Sequence, residues 1–455
     1  MNSYRSSARD MRLCLAGDVM LSRALRAHDE PPYLSLLELL RGADLSFANL
    51  ESVVREPHEG WPALTLGTPM TTPPALLEDL KWIGLKLVSI ANNHASDWGT
   101  SGLEAMVTHL RRAGLQAAGA GSHLAAARAP AYVETARGRV ALVAATSFFK
   151  PWNAASDQRP DTQGRPGINP LGFATTYEVD GPTFEALLKA SRELGLAQER
   201  ERHSRQFFSA SELGTQDAQQ LTLFGQHFRR TEGFAVRTVP QRADAEANLR
   251  AIREARRQAD WVIFSFHSHE FGDGARLTAR SDTELLDPGA FAVQFARAAV
   301  EAGADVVAGH GHHVTLGMEL HAGRPIFYSL GNFVFQNDTV QQVPTESYRR
   351  FGLGHEATPA DFMDARNDQD RRGFPAEAAF WEGCLAEVDF AGGGLRRVRL
   401  HPLDLGFGTR RSERGRPVLA QGTRADPILE RLATLSRRHS TRCTRVGDAL
   451  DVELV

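Results

Sequence analysis

The chain has 455 residues, 42% hydrophobic and 24% charged, with a formal net charge of −3. It is long enough to bury a large core and carries no excess charge of either sign, which argues against a dedicated nucleic-acid or polyanion binder. Cys14, Cys384 and Cys443 cannot all pair, so a disulfide framework is excluded and a reducing compartment fits.

The segment Met1 to Asp10 is polar, and the apolar run after it is too short for a signal h-region or a membrane span, so a cytoplasmic protein is expected. Met11 to Gly17 reads as a buried strand that stops at Gly17-Asp18. A helical spacing follows over Tyr33 to Leu40, a strand over Ala43 to Ala48, a helix over Pro74 to Leu80 and a strand over Lys86 to Ala91. Gly102 to Ala113 predicts a helix closed by Gly114, and Val140 to Thr146 a fourth strand. This alternation predicts α/β layers.

From Phe148 to Arg242 the pattern loosens into polar loop with two helical patches, Pro182 to Arg200 and Gln216 to Phe228, which reads as an insertion or lid. The rhythm returns with a helix over Ala243 to Gln258, a strand over Trp261 to Phe266, a helix over Pro288 to Ala302, and strands at Asp305 to Ala308 and Pro325 to Leu330. Residues 339–382 are irregular and charged, a second insertion. Leu385 to Phe390 and Leu395 to Leu400 then flank Ala-Gly-Gly-Gly and predict a hairpin. The expectation is one catalytic domain over 11–455 with these two insertions inside it.

Residues able to bind metal recur just after the predicted strands, where open α/β sheets place their ligands. Asp18 follows the first, Asn49 and Glu51 the second, and Asn92, Asn93 and His94 the third. His267, His269 and Glu270 follow the next, and His310, His312 and His313 the one after. Carboxylates and amides mixed with imidazoles suit Zn, Mn or Fe, as one or two ions. Glu270 is placed to orient a neighbouring imidazole. Arg165, in a Pro/Gly loop, offers a guanidinium fork for a substrate anion. Asn332 stands in a turn and is a second candidate for substrate contact.

Gly17-Asp18-Val19-Met20, Asn49-Leu50-Glu51, Ala91-Asn92-Asn93-His94 with Asp97 and Gly99, Gly303-Ala304-Asp305 leading to Gly309-His310, His313-Val314 and Tyr328 to Phe333 resemble the CapA family. That family is linked to poly-γ-glutamate and capsule synthesis, within the calcineurin-like metallophosphoesterase superfamily. Arg165 to Leu171 also resembles one of its loops. The resemblance implies an α/β/β/α sandwich, two sheets packed together with helices outside.

It also implies roles. Asp18 would be the first-motif ligand, Glu51 the carboxylate shared by two metals, Asn93 a ligand of the second, and His94 the imidazole serving the leaving group. His267 or His269, and His310 with His312 or His313, would complete the set. Met20 stands where the superfamily pattern has a second histidine, and a thioether is too soft to replace it for a hard ion. That departure, with the link to a polyamide, turns the expectation toward a hydrolase in which a metal-bound hydroxide attacks an amide, γ-glutamyl-like or cyclic, of a small anionic substrate. A phosphoesterase and a non-catalytic accessory protein of polymer synthesis are the alternatives. No nucleic acid or membrane partner is expected, and a homo-oligomer is compatible with the sequence.

Overall fold

Strand Met11–Met20 carries apolar side chains on both faces, and both are buried. It therefore lies inside the protein, between two layers, and the rest of the architecture is built around it. The computed structural model describes residues 10–64, 67–206, 216–272 and 279–454. The expectation for the segment Met1 to Asp10 falls on residues 1–9, outside them.

Among the described residues ten strands form the first sheet. Along its main path Cys443–Val446, Ala449–Val452, Gly394–Asp404, Glu382–Ala391, Met11–Met20, Leu45–Leu50, Leu85–Ser89 and Gln116–Ala118 lie in that order, with Asn332–Phe335 paired to the end of Met11–Met20 and Val418–Leu419 to the end of Gly394–Asp404. Six form the second, in the order Met318–His321, Arg324–Phe327, Val306–His310, Trp261–His267, Gly138–Thr146 and Ala131–Thr135. The sheets pack face to face: Leu13, Leu15, Phe47 and Leu87 meet Leu142, Ile263, Val306 and Ala308 in one apolar cluster. A fully buried leucine or phenylalanine contributes about 1.5–3 kcal/mol.

The outer faces are covered by helices. Cys14, Ala48 and Val88 pack with Leu36, Leu37 and Leu40 of helix Pro31–Gly42 and with Leu103 and Met106 of Gly99–Ala113. Val143, Val262 and Phe264 pack with Ile252 of Arg242–Gln258 and with Phe291 and Phe295 of Ala290–Ala302. The result is the α/β/β/α sandwich implied by the resemblance. The predicted hairpin is the pair Glu382–Ala391 and Gly394–Asp404.

Two expectations are corrected. Gln216 to Phe228 is not helical: Gln220–Leu223 and Gln226–Arg230 form an antiparallel hairpin turning at Phe224-Gly225, both with positive φ. Its buried Leu221 and Leu223 alternate with more exposed neighbours, a period of two. The hairpin joins Phe173–Val179 and Ala235–Pro240 in a small sheet with its own core of Val179, Phe184, Leu221 and Leu223. Residues 339–382 are also more ordered than expected, with helices Thr345–Arg350 and Pro359–Asn367. None of the described helices is long and apolar enough to cross a membrane.

Candidate metal centre

Register brings the polar strand ends together. Asp18 lies opposite Asn49 on one side and Asn332 on the other, and His267 lies opposite His310 in the second sheet. The Gly311 N–H donates to Asp18 Oδ2 at 3.0 Å, so the ends of the two sheets meet. Asn49 Nδ2 donates to Asp18 Oδ1 at 2.8 Å and lies 3.2 Å from His267 Nδ1, fixing both side chains. Asn92 in turn donates to Asn49 Oδ1 at 3.2 Å.

Asp18 has His310 Nδ1 and His313 Nδ1 each at 3.7 Å. Glu51 Oε1 has His267 Nε2 at 3.6 Å, His94 Nε2 at 3.8 Å and His313 Nε2 at 3.9 Å. His269 Nε2 lies 3.1 Å from His267 Nε2. Asp18, Glu51 and His313 thus form one potential ligand set, and Glu51, His267 and His269 another, sharing Glu51. Asn93 faces the same cleft, with its Oδ1 buried and without a hydrogen-bond partner.

The donor set fits a cation. Both oxygens of Glu51 and both ring nitrogens of His310 are buried without hydrogen-bond partners, which is costly unless something else satisfies them. Burial pushes the Asp18 carboxyl up to about 7, and burial together with the Asp18 charge pushes Glu51 well above the usual carboxylate range. Among the described residues their ion-pair partners are all histidines. Burial holds His267, His310 and His313 neutral, lowering His310 and His313 to about 3, so these three offer lone pairs and no balancing charge. A divalent ion supplies the charge that this cluster lacks.

Above the cluster opens a cleft of about 440 Å³ whose walls include Met20, Asn93, His94, His269, His312 and His313. His94 Nδ1 is 2.6 Å from Asp97 Oδ2, leaving Nε2 toward Glu51. The ring of His269 stacks on Phe148 at 4.1 Å. His313 adopts φ 57, and its Nδ1 lies 3.1 Å from Asn332 Oδ1.

Several expected residues stand elsewhere. His312 turns from the carboxylates toward the Glu270 carbonyl, at 3.2 Å, and packs edge-on against Phe271. Asn332 is fully buried and outside the cleft lining; its Nδ2 donates to the carbonyls of His313 and Phe380, so it holds the His313 loop. The Glu270 carboxylate accepts from the Ser147 and Ser268 hydroxyls and, among the described residues, pairs with no imidazole. Arg165 is exposed, and its guanidinium donates to the Pro151 and Ala154 carbonyls of its own loop. It is not part of the cleft wall. Among the described residues of the segment 148–242, only Phe148, Phe149, Lys150 and Asn153 line the cleft.

The far wall comes from stretches without a legible motif: Thr68, Arg366, Phe374 and Phe380. No sequence signal marks these residues, because their chemistry arises only when separate loops meet.

A carboxylate shared between two imidazole-bearing groups, at the open edge of a four-layer sandwich, defines a candidate metal-binding α/β protein. The chain belongs to the bacterial capsule synthesis protein family PGA_cap, whose pattern matches residues 12–337. It is 32% identical over 447 residues to the uncharacterized protein y4uA of Sinorhizobium fredii (strain NBRC 101917 / NGR234), covering 95% of this chain and 91% of that one. A shorter match, 34% identical over 128 residues, covers 27% of this chain and 30% of the PGA biosynthesis protein CapA of Bacillus subtilis (strain 168). Among solved structures, a hypothetical protein from Thermus thermophilus aligns over 87% of this chain and 99% of its own, at 14% identity and a TM-score of 0.40.

Proposed function

We propose that the chain is a metal-dependent hydrolase that cleaves an amide bond, γ-glutamyl-like or in a cyclic amide, of a small anionic substrate. One observation carries this reading: Glu51 is fully buried, with two unpartnered oxygens, between the imidazoles of His267 and His313 and within 3.8 Å of His94 at the cleft. Asp18, His310 and His313 would hold one divalent ion, His267, His269 and Asn93 another, with Glu51 common to both. Bound there, Zn, Mn or Fe supplies Lewis acidity and makes water nucleophilic near neutral pH.

The remaining work belongs to the chain's own groups. Asp97 accepts from His94 Nδ1 and so presents Nε2 to the cleft, where it takes up or delivers a proton at the leaving group. Phe148 stacked on His269 shields that imidazole from water. An amide is favoured over a phosphoester by Met20, which lines the cleft at the position of the superfamily's second histidine. The name of the Bacillus subtilis relative, PGA biosynthesis protein CapA, points the same way.

Metal analysis combined with a hydrolysis screen of γ-glutamyl amides, cyclic amides and phosphomonoesters tests the reading. Metal-dependent product release from amides is expected. Turnover of phosphoesters alone would assign a phosphoesterase, and a protein with neither stoichiometric metal nor turnover would favour the accessory role in polymer synthesis.

A further inference from the structure

Many arginines here are answered by an acid, among them Arg256 by Asp305, Arg297 by Glu319, Arg399 by Asp451 and Arg414 by Asp338. Arg366 is not. It lies near the end of helix Pro359–Asn367, whose start is fixed by a capping box between Thr358 and Asp361, and it reaches the cleft wall. Its Nη1 donates to Thr68 Oγ1 at 2.5 Å, and no carboxylate pairs with it among the described residues. Its charged carbon lies 5.9 Å from the centre of the Phe374 ring, and that ring also meets His313, edge-on at 5.4 Å. One aromatic ring therefore separates the guanidinium from the metal-binding cluster.

We propose that Arg366, oriented by the Thr68 hydroxyl, is the subsite that grips the substrate's free carboxylate while the scissile amide lies at the Glu51 cluster. This rests on the function proposed above and narrows it to short amides carrying an acid group about one ring's width from the bond cleaved. A partly desolvated guanidinium without an acid costs free energy in the empty cleft, and a planar carboxylate offsets that cost through two parallel hydrogen bonds. Burial and the nearby Arg350 charge lower the Arg366 pKa, the direction that an arriving anion reverses. The small anionic substrate expected from the sequence thus keeps its cation, which is Arg366 in place of Arg165.

Calorimetric titration of the metal-loaded protein with glutarate, glutaramide and inorganic phosphate tests the subsite without requiring turnover. Wild type is expected to bind glutarate, with affinity falling about 10- to 100-fold in Arg366→Gln, the range for hydrogen bonds to a charged group. Arg366→Lys keeps the charge without the fork and should fall in between, and Thr68→Val should lose a few-fold. Glutaramide binding should not respond to any of the three. Glutarate binding that is absent from wild type, or equal in wild type and all three variants, overturns the subsite. Binding of phosphate but not glutarate, lost in Arg366→Gln, overturns the carboxylate assignment. Amide hydrolysis with glutarate binding indifferent to Arg366 would sink the subsite and leave the reaction standing. Arg366-dependent glutarate binding without any amide turnover would do the reverse.

Discussion

His94 and Asp97 are joined by a 2.6 Å contact between Nδ1 and Oδ2, and that contact decides which imidazole nitrogen faces Glu51. The same carboxylate oxygen accepts the Met70 N–H at 2.8 Å, so the dyad is tied to a second loop. Asp97→Asn should leave metal content unchanged and lower kcat about 10- to 100-fold, through a ring that is no longer held in one tautomer. Metal analysis beside steady-state kinetics reads both; loss of metal would mean that the carboxylate acts on the ions instead.

Glu51→Gln and His94→Ala should fail at different steps. An amide is a poorer ligand for a divalent ion than a carboxylate, so Glu51→Gln should lower bound metal. His94→Ala should keep the metal and lose about 10²- to 10⁴-fold in turnover, as expected for a general acid or base. Equal metal loss in both would make His94 a ligand.

The adjacent histidines 312 and 313 should separate cleanly. His313 lies beside both carboxylates and His312 beside the Glu270 carbonyl. His313→Ala should lower metal affinity and His312→Ala should not, as read by competition with a chelator. Asn332→Leu should weaken the metal about 10- to 100-fold through the loop it holds. The reverse ranking of the two histidines would reassign the site.

Arg165→Lys should leave KM and kcat for an anionic substrate near wild type, because its guanidinium is taken up by the carbonyls of Pro151 and Ala154. A rise in KM would return substrate recognition to this loop.

Gly17→Ala should destabilise by about 3 kcal/mol, the upper range for overpacking. A Cβ there would stand 1.9 Å from the Gly331 carbonyl oxygen, and the obstacle is backbone. The urea midpoint is the measurement, and an unchanged midpoint would show that the strand ends can part.

The strand-ended motifs are readable because each of Asp18, Glu51, His94, His267 and His310 follows an apolar run, and parallel strands deliver their ends to one edge. His312 against His313 is not readable, since the left-handed backbone at His313 sends the two rings in different directions. The hairpin Gln220–Leu223 and Gln226–Arg230 escapes the periodicity because its strands are short and rich in glutamine and arginine, which fit a helix equally well by composition. Arg366 and Phe374 lie in a stretch with no periodicity and acquire meaning only through His313, Thr68 and each other.

Gly17 precedes Asp18, and Gly309 precedes His310; a Cβ on the second would come within 2.2 Å of the Tyr328 carbonyl oxygen. Asp18 N–H also donates to the Gly331 carbonyl at 3.0 Å. Both candidate ligands are therefore seated on backbone packed against backbone, where no side chain can slide. An ion arriving here finds its donors already gathered, so little of its binding free energy goes into ordering the chain. Chelation should accordingly strip the metal and leave the sandwich folded, and re-addition should restore the site at the rate of ligand exchange, without a refolding phase.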